Sequence, residues 1–217
     1  MGYRVVKRVF DIIAALLATV VFLIPWLIIS IVIKIQSPGP VIFKPERVGK
    51  DGKTFTLYKF RSMRVDSGAI HATTLRGDPR IFPFGAFLRN SKLDETPQLI
   101  NILKGEMSVI GPRPEDKVNA DKLYVGKYKE ILSVKPGLSS PASLYDYAVG
   151  ERYENEEDYE REFVPQKLNI ELYYINHKSL IYDLKIIIRT VITIYSVLSK
   201  KEVKIPWEVK ACMKSNP

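Results

Sequence analysis

From Ile12 to Ile33 the chain runs for 22 residues without a charged side chain, and this segment restricts the possible folds more than any other feature. About 20 apolar residues cross the hydrocarbon core of a bilayer once as a helix. A secretory signal has a shorter apolar region, about 7–15 residues, followed by a small-residue cleavage site. Ser30-Ile31-Val32-Ile33-Lys34 offers no such site, so the segment is read as part of the mature protein.

Two features bear on how it sits in a membrane. Both flanks are basic, with Arg4, Lys7 and Arg8 before it and Lys34, Lys44, Arg47 and Lys50 after it. Basic flanks favour the cytoplasmic side. A straight span sends one of them across, whereas a hairpin that enters and leaves on one side satisfies both. Pro25, near the middle, removes a backbone donor, kinks the helix and frees a carbonyl that lipid cannot solvate. On composition alone a straight span is the simpler reading, because proline is tolerated in ordinary spans. Asp11 lies four residues after Lys7 and three after Arg8, so it can pair with either and anchor the helix start at the headgroup level.

The remaining pattern is that of an α+β unit, a mostly helical small domain with a β-hairpin. Ser37-Pro38-Gly39-Pro40 breaks the helix. Residues 41–43 and 55–60 read as two strands, with Asp51-Gly52 as a tight-hairpin signal between them. Residues 64–82 read as a polar loop, and residues 84–104 as mostly helical, with Gly105 as the stop. Within that stretch Thr96-Pro97 makes a helix start, threonine as cap and proline in the first turn. Asp94 and Glu95 then lie just before a helix N-terminus, whose partial positive charge stabilises carboxylates and phosphates. Near the end, Leu180, Leu184, Ile187, Ile188, Val191, Tyr195 and Leu198 recur at helical spacing. This stripe fits a helix packed on the core or one lying in the membrane interface, and the first is the simpler.

The formal net charge is +9, unevenly spread. Residues 151–162 are near −5, which leaves the rest near +14. Such a surplus suits an anionic partner, whether nucleic acid, anionic lipid or a phosphorylated substrate. Cys212 is the only cysteine, so no intrachain disulfide can form, and His71 and His177 are the only histidines. A zinc site built from His and Cys is therefore not expected.

Several short stretches combine phosphate-binding residue types with acids: Lys59-Phe60-Arg61-Ser62-Met63, Leu88-Arg89, Leu93-Asp94-Glu95-Thr96-Pro97-Gln98, and Met107-Ser108-Val109-Ile110-Gly111-Pro112-Arg113-Pro114. Each alone has an ordinary explanation. Arg61 can be a solvated strand end, Asp94-Glu95 a helix cap, and Gly111-Pro112-Arg113-Pro114 a rigid turn. In this order, together with Lys7-Arg8-Val9-Phe10-Asp11, Gly39-Pro40-Val41-Ile42-Phe43, Arg47-Val48-Gly49 and Lys135-Pro136-Gly137, they resemble the monotopic phosphoglycosyl transferases, the bacterial sugar transferase family, over nearly the whole chain.

The resemblance implies a re-entrant membrane helix-hairpin over residues 1–36, broken at Pro25, and a catalytic domain over residues 37–217 on the cytoplasmic face of the bacterial inner membrane. It implies transfer of a sugar phosphate from a UDP-sugar to polyprenyl (undecaprenyl) phosphate with release of UMP. Asp94 is then the nucleophile that carries the phosphosugar as an acyl phosphate. Mg²⁺ is the implied cofactor, with Asp94 and Glu95 as the carboxylates near it, and it suits carboxylate and phosphate oxygens. Arg113 and Arg89 are candidates for phosphate binding, because guanidinium offers a rigid bidentate fork. Lys59 and Arg61 are further candidates.

The sequence departs from the family in two places. Ile24 precedes the hairpin proline, where members commonly carry a small polar residue. Leu138-Ser139-Ser140-Pro141-Ala142-Ser143 replaces a version with glutamine and asparagine, in a region expected to border the sugar pocket. Two rival functions compete. A membrane-anchored scaffold without catalysis predicts neither metal dependence nor a covalent intermediate. A nucleic-acid binder predicts aromatics interleaved with basic residues on one surface, but Lys and Arg are scattered here and the apolar leader has no place in it.

Overall fold

The computed structural model describes residues 2–65, 78–150, 153 and 156–215. His71, most of the loop expected at 64–82, and much of the acidic stretch (residues 151, 152, 154 and 155) lie outside the described residues.

The apolar segment belongs to a helix, α1 (Gly2–Gln36), that runs through Pro25 without a break in helical assignment. At about 1.5 Å per residue it is about 52 Å long. It is long and apolar enough to cross a membrane by length and composition, yet one side of it is fastened to the rest of the protein from end to end. Asp11 is buried and accepts hydrogen bonds from Ser108 Oγ (2.9 Å) and Val109 N (3.0 Å). Lys7 lies 3.9 Å from Asp11 but only 2.8 Å from Asp183 Oδ2. The expected Lys7–Asp11 pairing is thus a minor part of a wider network, in which Asp11 ties the start of α1 to Ser108 and Val109. Arg8 caps another helix by donating to the carbonyls of Ile102 (2.6 Å) and Leu103 (2.9 Å). Farther along, Ala15 packs with Leu57, Leu99, Ile102 and Met107, and Ile29 and Ile33 pack with Phe60, Phe82 and Leu88. The opposite side, including Val20, Val21, Ile24 and Leu27, is exposed.

After α1 come four short strands, β1 (Ile42–Phe43), β2 (Glu46–Val48), β3 (Thr54–Thr56) and β4 (Lys59–Phe60). An antiparallel hairpin does turn at Asp51 and Gly52, at φ of 59° and 75°, but its first strand is β2, which was not expected, rather than the 41–43 strand. The single strand expected over 55–60 is two. Asn101 Oδ1 takes the Tyr58 N–H (3.0 Å), which breaks the ladder, and β4 pairs with β1 instead.

The helix expected over 84–104 is likewise divided, into α2 (Pro83–Ser91), a single 3₁₀ turn (Leu93–Glu95) and α3 (Gln98–Lys104). Lys92, at φ 56°, makes the break. Gly105 stops α3 at φ 86°, as expected. Thr96 does not cap α3: its hydroxyl donates to Leu93 O (2.7 Å) and accepts from Trp26 Nε1 (2.9 Å).

The remaining elements are β5 (Ser108–Ile110), α4 (Lys117–Leu123), a 3₁₀ segment (Gly126–Ser133), β6 (Gly137–Ser139), α5 (Pro141–Val149), α6 (Glu156–Asp158) running through a π-type turn into α7 (Val164–His177), α8 (Leu180–Leu198) and α9 (Glu208–Ser215). β5 and β6 are parallel neighbours. Their backbones approach so closely that a Cβ on Gly137 would lie 2.0 Å from Gly111 N. The main core gathers Val48, Ile110, Tyr124, Leu144, Leu168, Tyr174 and Ile186. In α8 the residues turned inward are Tyr182, Asp183 and Ile186. Leu184, Ile188, Val191, Tyr195 and Leu198 of the apolar stripe are exposed, so the core-packed reading of that stripe gives way.

Candidate active site

The acids sit on the 3₁₀ turn between α2 and α3, and both are buried, Asp94 at 1% and Glu95 at 7% exposure. Three cations converge on them from different elements. Lys59, in β4, places Nζ 2.8 Å from Asp94 Oδ2 and 3.6 Å from Glu95 Oε1. Lys92 Nζ lies 3.9 Å and Arg113 Nη2 3.4 Å from that same Glu95 oxygen. The Lys59 contact is an ion pair without hydrogen-bond alignment, so neither Asp94 oxygen accepts a hydrogen bond among the described residues. Within 4 Å, three cations pair with these two carboxylates, and Asp146 also acts on Arg113.

Local structure explains the convergence. Asn101 is fully buried in α3, two turns beyond Asp94. It accepts from Tyr58 N and donates to Thr56 O (2.7 Å) and Glu106 Oε2 (2.7 Å), which fixes the strand carrying Lys59 against the helix that follows the acids. Arg113 follows the β5 strand. Gly111 N donates to Ser139 O (3.1 Å), and Pro112 O accepts from Gly137 N (2.8 Å). Arg113 N donates to Glu171 Oε1 (3.1 Å), which also accepts from Ser140 Oγ (2.9 Å). Glu171, in α7, therefore holds the Pro112-Arg113-Pro114 turn from behind.

The charges follow from these positions. Burial pushes the Glu95 carboxyl up, but Lys92, Arg113 and Lys59 together outweigh it and hold it well below the usual carboxylate range. Arg113 is raised, chiefly by Glu95. Burial lowers Lys92 against the opposing pull of Glu95. Glu171 has no cation in hydrogen-bond contact, and burial drives its carboxyl up to about 7 against the pull of its two donors. Burial, followed by Glu95, keeps the Tyr147 phenol protonated well above its ordinary range.

Of the cations named from the sequence, Lys59 and Arg113 stand beside the acids. Arg61 does not: its buried guanidinium donates to the carbonyls of Ser37 and Pro38 (2.9 Å to Pro38), tying the end of α1 to β4. Arg89 lies in the last turn of α2, and no ion pair joins it to Asp94 or Glu95 among the described residues. Pro25 lies within α1, and its neighbour Trp26 bonds Thr96 next to Glu95. Sequence reasoning missed Lys92, Asn101, Glu171 and Tyr147. Lys92 immediately precedes the Leu93–Gln98 stretch and Asn101 lies three residues after it, whereas neither pattern nor charge marks Glu171 or Tyr147.

For Mg²⁺, the donor set fits. The ion takes oxygen ligands, and one or two carboxylates with phosphates and water suffice. Asp94 offers two oxygens free of hydrogen bonds, with Glu95 adjacent. Among the described residues no group of three or more His, Cys, Asp or Glu gathers, and Mg²⁺ of this kind needs none.

The model of the bacterial sugar transferase family matches residues 2–197. Among relatives aligned over most of this chain, an exopolysaccharide production protein of Rhizobium leguminosarum is 38% identical, over 87% of this chain and 94% of its own. A UDP-N-acetylgalactosamine-undecaprenyl-phosphate N-acetylgalactosaminephosphotransferase of Aeromonas hydrophila is 39% identical, over 88% and 44%. A UDP-glucose:undecaprenyl-phosphate glucose-1-phosphate transferase of Caulobacter vibrioides is 36% identical, over 85% and 68%. The chain thus spans nearly all of one relative and less than half of another. With the match covering nine-tenths of its length, the chain belongs to the bacterial sugar transferase family and is a transferase of the undecaprenyl-phosphate sugar-phosphate type.

Proposed function

We propose that the protein transfers a sugar phosphate from a UDP-sugar to polyprenyl phosphate through a covalent intermediate on Asp94. The observation that carries this is the Asp94 carboxylate: buried, with both oxygens free of hydrogen bonds, 2.8 Å from Lys59 and beside Glu95, which Lys92 and Arg113 contact. A carboxylate and a diphosphate repel each other, so a site that joins them needs fixed positive charge. Lys59, Lys92 and Arg113 supply it.

In the first half, an Asp94 oxygen attacks the β-phosphorus. The bond from that phosphorus to the bridging oxygen breaks, and UMP leaves with the electron pair. Lys59 exchanges its contact with Asp94 for the incoming phosphate, which uncovers the nucleophile. Arg113, held by Glu171 through its backbone and by Glu95 through its side chain, presents its fork to the phosphate oxygens. Glu95 keeps Arg113 and Lys92 in place. In the second half, a phosphate oxygen of the polyprenyl carrier attacks the same phosphorus, the acyl-phosphate bond breaks and Asp94 is regenerated. Asp94 and Glu95 would hold Mg²⁺, which neutralises charge on the phosphates when bound.

The membrane arrangement follows from α1. Lys7 near its start bonds Asp183, Trp26 bonds Thr96, and Gln36 at its end accepts from Phe84 N (3.1 Å). Both ends therefore share one side with the body of the protein. This supports a segment that enters and leaves on the same face over a straight span, although α1 is helical through Pro25. The exposed apolar sides of α1 and α8 supply the lipid contact. The basic residues on both flanks of the apolar segment favour the cytoplasmic face of the inner membrane for the body.

The experiment is UMP release without lipid acceptor. Wild-type protein with a reactive UDP-sugar should release UMP once per active site and gain the mass of one phosphosugar. Asp94→Asn should fold and show neither. A burst retained in that variant, or no adduct on wild-type protein after acid quench, would move the nucleophile elsewhere.

A further inference from the structure

We propose that Tyr147 contacts the substrate, its hydroxyl donating a hydrogen bond to a phosphoryl oxygen of the sugar diphosphate at the Asp94–Glu95 turn; this rests on the reaction proposed above. Tyr147 lies in α5, the helix that starts at Ser140, whose hydroxyl accepts from Ser143 N (3.0 Å). Its ring lies 4.9 Å from Lys92 Nζ, and Lys92 Nζ lies 3.9 Å from Glu95 Oε1. One cation thus bridges the ring and the acids.

The hydroxyl is shielded from solvent and has no hydrogen-bond partner among the described residues. Four other buried or half-buried tyrosines are different. Tyr124 donates to Arg113 O, Tyr128 to Asn169, Tyr174 to Asp183 and Tyr182 to Glu208. Those are structural hydroxyls with structural partners. An unsatisfied buried hydroxyl is uncommon and calls for a reason. The shared Lys92 contact brings the ring to the Glu95 side of the acidic turn, and burial keeps the phenol protonated and able to donate. The partner it lacks is an acceptor. The neighbouring Lys59, Lys92 and Arg113 attract anions, so that acceptor is a phosphate oxygen. As a neutral donor, Tyr147 adds a hydrogen bond there without adding charge.

Tyr147→Phe removes one oxygen and keeps the ring under Lys92. Thermal unfolding without ligand should stay the same or rise, because a shielded unsatisfied group is gone. The rate of UMP release in a single turnover should fall about 10²-fold, the usual effect of deleting one donor to a developing oxyanion. A rate within twofold of wild type overturns the proposal, and so does a lowered unfolding temperature, which marks a structural hydroxyl. If wild-type protein releases no UMP from any UDP-sugar, the proposed reaction fails by itself. Stabilisation against heat by UDP then decides the contact: a smaller shift in Tyr147→Phe than in wild type sustains it, and equal shifts or none overturn it.

Discussion

Replacing Glu171 with glutamine should remove a pH dependence that this one side chain imposes on the whole fold. Glu171 is buried, its Oε1 accepts from Arg113 N and Ser140 Oγ, and its Oε2 has no partner among the described residues. Its carboxyl rises from an ordinary 4.5 to about 7. Between those values the unfolded chain releases the proton and the folded protein keeps it. Stability therefore falls as pH rises through this window, and stays lower above it. At about 1.4 kcal/mol per pH unit the loss is about 3 kcal/mol, or roughly 6–12 °C in unfolding temperature for a chain of this size. Glutamine imitates the neutral acid, with a carbonyl oxygen for the two donors and an amide in place of the acidic proton. The variant should match wild type near pH 5 and exceed it by about 3 kcal/mol at pH 8. Thermal unfolding in detergent, followed by tryptophan fluorescence across that range, makes the comparison. Parallel curves for the two proteins, or a variant less stable at pH 8, would refute the assignment of this proton to Glu171.

Three further outcomes are expected. Arg113→Lys keeps the charge near Glu95 but loses the fork, and should lower UMP release about 10²-fold; release near the wild-type rate would leave Arg113 as a turn residue. Excess EDTA should abolish turnover and added Mg²⁺ restore it, and full activity in EDTA would remove the metal from the site. In a Cys212→Ser background, cysteines at Gly2 and Lys44 should both resist an impermeant thiol reagent in intact cells, and labelling at position 2 alone would mean a straight span.

The chain reveals its local pieces better than their junctions. The Asp51-Gly52 turn and the Gly105 stop were legible because each depends on backbone conformations that few residues adopt. The break at Lys92 was not, since nothing in a lysine announces φ 56°. Thr96 carried a cap signal, yet Trp26, seventy residues earlier, took its hydroxyl. The outward turn of the α8 stripe was hidden for a similar reason. Periodicity reports that one face is apolar, not whether protein or lipid covers it. At the site, Lys59, Asp94, Glu95 and Arg113 stood out by motif, and they do meet. Glu171 and Tyr147 contribute through burial, which a single sequence does not display.

The way α1 is seated has a consequence for anyone who would cut or exchange it. Ala15 and Ile33 are wholly enclosed, and removing a large aliphatic side chain from such a position costs about 2–5 kcal/mol. Deleting the helix would uncover two packed clusters and strip Asp11 from Ser108, so the remainder should not persist as a soluble enzyme. A foreign anchor of equal greasiness would hold the body at the bilayer without restoring the Trp26–Thr96 bond beside Glu95. α1 is thus one wall of the candidate site, and under the membrane arrangement proposed above a change of bilayer that shifts it would be felt at Thr96, one residue from Glu95.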